Sequence, residues 1–496
     1  MKHYTFYFLI LTFLFVSACG GKKGGKNQGG GDKASRTGTG CEMKEEVYDK
    51  ASVFEPLAVG SKKNQIPRRV SLEKYAPKRK NQGSQGSCVG FSSCYAARSI
   101  LHAISTGKDP NQTYFSPAYV YNQIKVDGCM NGSYIVDAMN KLKDEGVLPW
   151  TEFPYSDQDC NKLPSDDQKQ KAGQYKTLGY TRLTKSDKNY EVDMNALKQN
   201  IAQGSPVVMA MPVGGSFYEL YGQKVWHPTE SDWTQINKYK NRQPSKFGGH
   251  AMCLIGYDDD LEGGSVQIMN SWGEDFGERG CFWMTYKDFL GCCREAYALH
   301  PMGSVKVDDN NNVEIQKTPD FEAEIGLYVK KEDAYLPLKY KRGYTFATPQ
   351  KMPKGTKFKI ELTNKSVCYA YVIGQETDGS SYVLFPYTKK HSAYFGITGT
   401  RLFPKEESMK LDDIGKKDYM AIILSKEELN IKEINSKISK SQALTYEMRI
   451  QEALYQDLVP VKNVQFGVGS DGVTAKFSAT AGDKNVVFMV MEINKQ

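Results

Sequence analysis

Among 496 residues there are only six histidines and five tryptophans, and no HExxH, paired CxxC or phosphate-cradling glycine loop. Zinc-peptidase, zinc-ribbon and P-loop chemistry therefore have no foothold. The Asp258 to Asp260 run lacks the spacing of a calcium loop and reads as a solvated hairpin tip. No metal and no cofactor are expected. The net charge is +8, but Lys22, Lys23, Lys26, Lys33 and Arg36 crowd one Gly-rich stretch without interleaved aromatics. That pattern is a solvated linker, and nucleic acid is not an expected partner.

The first eighteen residues have a basic start, an apolar run from Tyr7 to Val16 and small residues before Cys19. The run is too short to favour a permanent membrane span and reads as an export signal. The V-S-A-C ending at Cys19 resembles the bacterial lipoprotein box, with Cys19 lipidated and held at a bilayer; plain secretory cleavage is the alternative. Residues 19 to 60 are expected to form a flexible Gly/Lys-rich tether, because so polar a stretch buries little apolar surface. Outside the cytosol the eleven cysteines tend to pair. Setting aside Cys19 and a candidate nucleophile leaves an odd number, so at least one stays unpaired within the chain.

The length implies two folded domains, placed at 61 to 303 and 304 to 496. The first mixes helices, expected at Val89 to Ile104, Ser116 to Lys125, Tyr134 to Glu145 and Met194 to Gln203, with strands. The strands are Val207 to Pro212, Ala251 to Tyr257, Val266 to Asn270 and Phe282 to Thr285. The second reads as mostly β, with strands at Lys357 to Leu362, Val367 to Ile373, Tyr382 to Tyr387, Tyr419 to Leu424 and Val486 to Ile493.

Cys88 stands where the loop NQGSQGS becomes an apolar run, with Ser87 as the expected N-cap and one apolar helix side. In the first turn of a helix the dipole favours thiolate over thiol. Of the histidines, His3 lies in the signal, His391 in the second domain and His102 inside the cysteine's own helix. His250 opens the strand AMCLIGY, which DDDLE turns back into GGSVQIMN. Pairing Tyr257 with Gly263 places Asn270 directly opposite His250, close enough for its amide oxygen to accept from the imidazole. A one-residue bulge would break that register. A cysteine, a histidine and an orienting amide together support nucleophilic acyl transfer.

The segments NQGSQGSCVGFSS, GGHAMCLIGYD and NSWGEDFGERGCFWM, in that order, resemble the papain-like cysteine peptidases. The resemblance covers Ile66 to His300 and implies an α+β fold: a two-lobed peptidase, here followed by a mostly β accessory domain. It implies Cys88 as nucleophile, His250 as general acid/base, Asn270 as the orienting group and Gln82 as the oxyanion donor beside the Cys88 N–H. Trp272 would cover the Asn-His contact. Gly132 and Ser133 would hydrogen-bond an extended peptide, and Tyr134, Ala210 and Ala251 would line an apolar pocket for its second residue before the cleaved bond.

Three departures stand out. Gln85 replaces a disulfide cysteine, which leaves Cys160 as the substitute partner for Cys129; Cys281 pairs weakly in sequence with Cys292 or Cys293. Val89 replaces an aromatic residue. Between Cys19 and Ile66 there is no room for the family's long helical propeptide, so control of activity falls to secretion or to the second domain. The expected function is an exported, lipid-anchored endopeptidase of the bacterial cell envelope, at its outer membrane, acting on peptide or protein. Exopeptidase or transpeptidase action in the same cleft, and a non-catalytic peptide-binding lipoprotein, are the alternatives. Oligomeric state is left open.

Overall fold

The helix that begins at Cys88 is the axis of the first lobe. It runs through residues 88–106, and from Cys88 to Ile104 every side chain is buried. A helix covered on all sides needs no apolar face, which is why the expected one-sided pattern is weak. Its middle, Phe91–Arg98, is π-helical. There Ser92 and Ser93 hydroxyls donate to the Val89 carbonyl at 3.1 and 2.5 Å and compete with the regular ladder. Gly107, at φ 67, supplies the left-handed turn that ends it. Helices Pro117–Ile124 and Ile135–Asp144 pack around it.

The structure is a computed structural model that describes residues 38–301, 305–308, 310–315, 319–469 and 471–496. Cys19, the export signal and the tether up to residue 37 lie outside the described residues.

The second lobe is one antiparallel sheet of seven strands: β1 (Arg69–Ser71), β2 (Tyr180–Arg182), β3 (Val207–Val213), β4 (Gly248–Asp258), β5 (Ser265–Met269), β6 (Cys281–Thr285) and β7 (Glu295–Leu299). The order is β2-β7-β3-β4-β5-β6, with β1 alongside β4. The β4–β5 hairpin departs from the expected register. Asp258 pairs with Ser265, and a bulge between Leu254 and Gly256 brings Cys253 opposite Met269. The tip is longer than five residues because Glu262, Gly263 and Gly264 all take positive φ around a 3-10 turn. Asn270 therefore lies one residue beyond β5 rather than across from His250, whose strand partner is Met211 of β3.

The C-terminal region builds two seven-stranded sheets around a separate core. The expected strands appear as Lys357–Asn364, Cys368–Gln375, Ser381–Phe385, Lys417–Ser425 and Val486–Asn494. Helices Ile431–Lys440 and Tyr446–Leu454 add to the mostly β reading. In the first, Ile434 and Ile438 are buried against the sheets, and Asn430 caps it by accepting from the Glu433 N–H.

Residues 38 to 60 are not the flexible tether expected. They form an ordered strap along the first lobes, including the single turn α1 (Glu45–Tyr48), with Tyr48, Phe54 and Leu57 in the core. Polarity of the Gly-rich start predicts no burial, but these later apolar residues supply it.

Candidate active site

The helix start and β4 bring Cys88 and His250 together. The Ala251 N–H donates to the Cys88 sulfur at 3.4 Å, so the thiol lies against the residue that follows the histidine. His250 Nε2 and Asn270 Oδ1 are 2.8 Å apart. The contact expected from register is thus made despite the bulge, by a side chain reaching back from the strand end. His250 Nδ1 has no hydrogen-bond partner among the described residues, which leaves that nitrogen for the thiol. Trp272 stacks on the imidazole at 4.7 Å between ring centroids, and Tyr218 stacks on Trp272 in turn.

Electrostatics run against the expected thiolate. Burial pushes the Cys88 thiol up to about 11, only partly offset by the N–H groups of Ala251 and Gly40. Burial also lowers His250 to about 4, against the Asn270 hydrogen bond. At neutral pH both groups are uncharged as they stand, and the helix dipole loses to desolvation. Ser87 does not cap the helix, because its hydroxyl is engaged by Tyr155 Oη at 2.8 Å.

Gln82, six residues before Cys88, is fully buried. Its Nε2 donates to the Gln85 carbonyl at 2.8 Å, and its Oε1 accepts from Ser271 Oγ at 2.6 Å. Tyr155 Oη donates to its backbone carbonyl at 2.6 Å. Ser271 and the Gln85 carbonyl thus hold the side-chain amide in one orientation, and Tyr155 fixes the backbone that carries it.

The cleft is filled by the strap. Gly38 N–H donates to Gly83 O at 2.9 Å, and Gly40 and Cys41 N–H groups both reach Gly249 O, at 3.0 and 2.9 Å. Ser133 N–H donates to Gly40 O at 3.0 Å and Ser133 O accepts from Glu42 N–H at 3.1 Å, a parallel bridge around Cys41. Trp272 Nε1 donates to Gly38 O at 3.4 Å. The Gly40 N–H is among the backbone donors that face the Cys88 sulfur. The fit depends on glycine. A Cβ on Gly38 would stand 2.1 Å from Gln85 O, and one on Gly40 2.3 Å from Gly86 O; one on Gly132 would meet Gly40 O at 2.1 Å.

Ala210 and Ala251 pair across β3 and β4 and are buried. Tyr134 sits at the helix start before Ile135 with the Lys44 ammonium 5.5 Å from its ring centroid. A carboxylate stands beside Ala210. Across β3 and β7 the residue opposite Ala210 is Glu295, and directly opposite side chains share a face. Glu295 is buried, accepts from Tyr297 Oη at 2.9 Å, and burial pushes it up to about 8. It is near enough to Cys41 to help raise that thiol, after burial and Cys88.

Residues 66–302 match the family described as papain family cysteine protease. These residues form a papain-family peptidase domain. Over 236 residues it is 25% identical to cathepsin B-like CP2 of Giardia intestinalis, a match covering 46% of this chain and 72% of that one. With cathepsin K of Mus musculus it shares 24% identity over 218 residues, covering 43% and 58%. A cathepsin L-like protein of Caenorhabditis elegans shares 28% over 211 residues, with 53% of its length covered. Among solved structures, xylellain, a cysteine protease from Xylella fastidiosa, shares 26% identity over 54% of this chain and 96% of that one, with a TM-score of 0.43.

In the peptidase domain Cys129 and Cys160 form a disulfide, while Cys281, Cys292 and Cys293 are unpaired. Arg79 donates to the Cys281 sulfur at 3.3 Å. Among the described residues no helix is long and apolar enough to cross a membrane, and no cluster of three or more His, Cys, Asp or Glu could hold a metal. Ser271, Glu295 and the strap were not foreseen. Ser271 adjoins Asn270 in the NSW segment and was the one within reach of sequence reasoning.

Proposed function

We propose that the chain is a cysteine endopeptidase held latent by its own strap. Once the strap leaves, Cys88 loses its protein cover, and the favourable form becomes a thiolate paired with protonated His250. Sulfur attacks the peptide carbonyl; the second N–H of Gln82 Nε2 and the backbone N–H of Cys88 receive the oxyanion. His250 gives its proton to the departing amine, leaving a thioester on Cys88. It then takes a proton from water, which adds to the thioester and releases the acid and the thiol. Asn270 fixes which ring nitrogen faces the sulfur, and Trp272 keeps water from that contact. Ser133 pairs with the substrate backbone where it now pairs with the strap, and Gly132, whose missing Cβ admits Gly40 O, gives that backbone room.

The observation that carries this reading is the 2.8 Å contact between His250 and Asn270 beside a thiol that accepts from the very next N–H. Hydrolysis of a fluorogenic peptide by a Gly40→Val protein, abolished when Cys88→Ala is added, tests it. Turnover that persists without Cys88 would refute it. We further propose that export and lipidation at Cys19 place residues 61–303, the catalytic unit, and 304–496, the accessory unit, at the outer bacterial envelope. Radiolabelled palmitate incorporation lost in Cys19→Ala is the test.

A further inference from the structure

Residues 49–64 of the strap lie between the peptidase domain and the C-terminal β region and are bonded to both. Val53 is bridged on each of its edges. On one, Arg182 N donates to Ser52 O at 2.9 Å and Phe54 N donates to Arg182 O at 3.0 Å. On the other, Val53 N donates to Lys390 O at 2.6 Å and Ser392 N donates to Val53 O at 2.9 Å. At Val53 the strap forms a one-residue β-bridge to each of the two folded bodies, in the manner of strand addition.

Side chains repeat the arrangement. Asp49 pairs with Arg182 of the peptidase at 3.2 Å and with Lys390 of the β region. Asn64 donates to Thr400 O and accepts from Thr400 N, both at 2.8 Å. The buried Arg401 donates to Glu55 O at 3.0 Å, and Lys63 pairs with Glu361 at 2.8 Å. Residues 43–48 are all that separate this anchor from the segment over Cys88. So short a connection keeps residues 38–42 at high local concentration in the cleft.

We infer that the C-terminal β region is the latch of the cleft: by gripping residues 49–64 it keeps residues 38–42 over Cys88, and loosening that grip opens the site. This rests on reading Cys88 as the nucleophile and the strap as its cover. An opening that carries residues 49–64 away with residues 38–42 must break the β-region contacts too, so a weaker grip lowers the cost of uncovering Cys88.

The test is the second-order rate at which a fluorescent peptidyl chloromethyl ketone alkylates Cys88 in the full-length chain. Lys390→Ala removes one partner of Asp49, and Asn64→Ala removes three hydrogen bonds, to Ala58 O and to both backbone groups of Thr400. Neither touches the cleft. The double variant is expected to label about tenfold faster than wild type, the size of change that the loss of a few such contacts produces. Lys390→Arg should label at the wild-type rate. Thermal melting checks the fold, and the single variants carry the test if the double variant melts early. Wild-type labelling in all of them, with fast labelling of Gly40→Val, overturns the latch and leaves the strap as occluder. Absence of Cys88 labelling even in Gly40→Val removes the underlying reading and the latch with it.

Discussion

Gly40→Val is the sharpest perturbation the structure suggests. Its new Cβ would lie 2.3 Å from Gly86 O and 2.4 Å from Gly86 Cα, and both are backbone atoms that no rotamer change can clear. Gly86 is itself fixed, since its N–H donates to Cys129 O at 3.0 Å and Cys129 is disulfide-bonded. Overpacking of this kind costs about 1–3 kcal/mol. At roughly 1.4 kcal/mol per tenfold, the equilibrium between covered and open cleft moves toward open by about 5- to 150-fold. The catalytic side chains are untouched, so kcat/KM for a fluorogenic peptide should rise by that factor, up to the ceiling set by a fully open cleft. Val59→Ala, at a strap position 74% exposed, should leave the rate where it is. A folded Gly40→Val protein no more active than wild type would refute the claim that the strap limits access.

Asn270→Ala in the Gly40→Val background should lower kcat by about 10²-fold with little change in KM, because the general base loses its orientation while the peptide-binding backbone stays. Steady-state kinetics would show otherwise if KM moved instead. With Glu295 beside Ala210, the site is expected to accept a cationic side chain two residues before the cleaved bond, and Glu295→Gln should cut that acceptance by about tenfold or more, the value of a charged hydrogen bond; an unchanged peptide-library profile would place Glu295 outside the pocket. Closure is also proton-linked. Glu55, in the seam, is raised by burial to about 7 against Lys405 and Arg401, and Glu295, beneath the strap, to about 8. Both carboxyls are held protonated by the closed form, so their support for closure is complete below about 4.5, declines as pH rises through 7 and 8, and changes no further above that. Cys88 labelling should accelerate over that window and flatten in Glu55→Gln with Glu295→Gln; a rate that falls with rising pH would reverse the sign of the argument.

Much of the site was legible because its signals are local. A thiol at a loop-to-helix junction, a histidine opening an apolar strand and an asparagine closing the return strand can each be seen within a dozen residues. The register arithmetic failed first at the longer hairpin tip, where Asp258 pairs with Ser265, and again at the bulge near Ile255, yet the His250–Asn270 contact survived because Asn270 lies beyond the strand and reaches back. The strap was illegible for a different reason. Gly38 and Gly40 carry no apolar pattern, and their fit consists in lacking a Cβ, which matters only once the Gln85 and Gly86 backbone is in place. Glu295 faces Ala210 through a pairing of strands more than eighty residues apart, beyond the reach of periodicity. The missed helix at Ile431–Lys440 is the reverse case: Ile431, Ile434 and Ile438 follow helical spacing behind an Asn cap, and the signal was there to be read.

The central claim is that Cys88, and no other thiol, is the nucleophile. The described residues hold eight unpaired cysteines, all buried, so selectivity among them is informative. Gly40→Val protein treated with one equivalent of a peptidyl chloromethyl ketone and mapped by peptide mass spectrometry should carry a single adduct, on Cys88, that disappears in His250→Ala. Adducts spread over Cys41, Cys281 and Cys293, with Cys88 unmodified, would contradict the account.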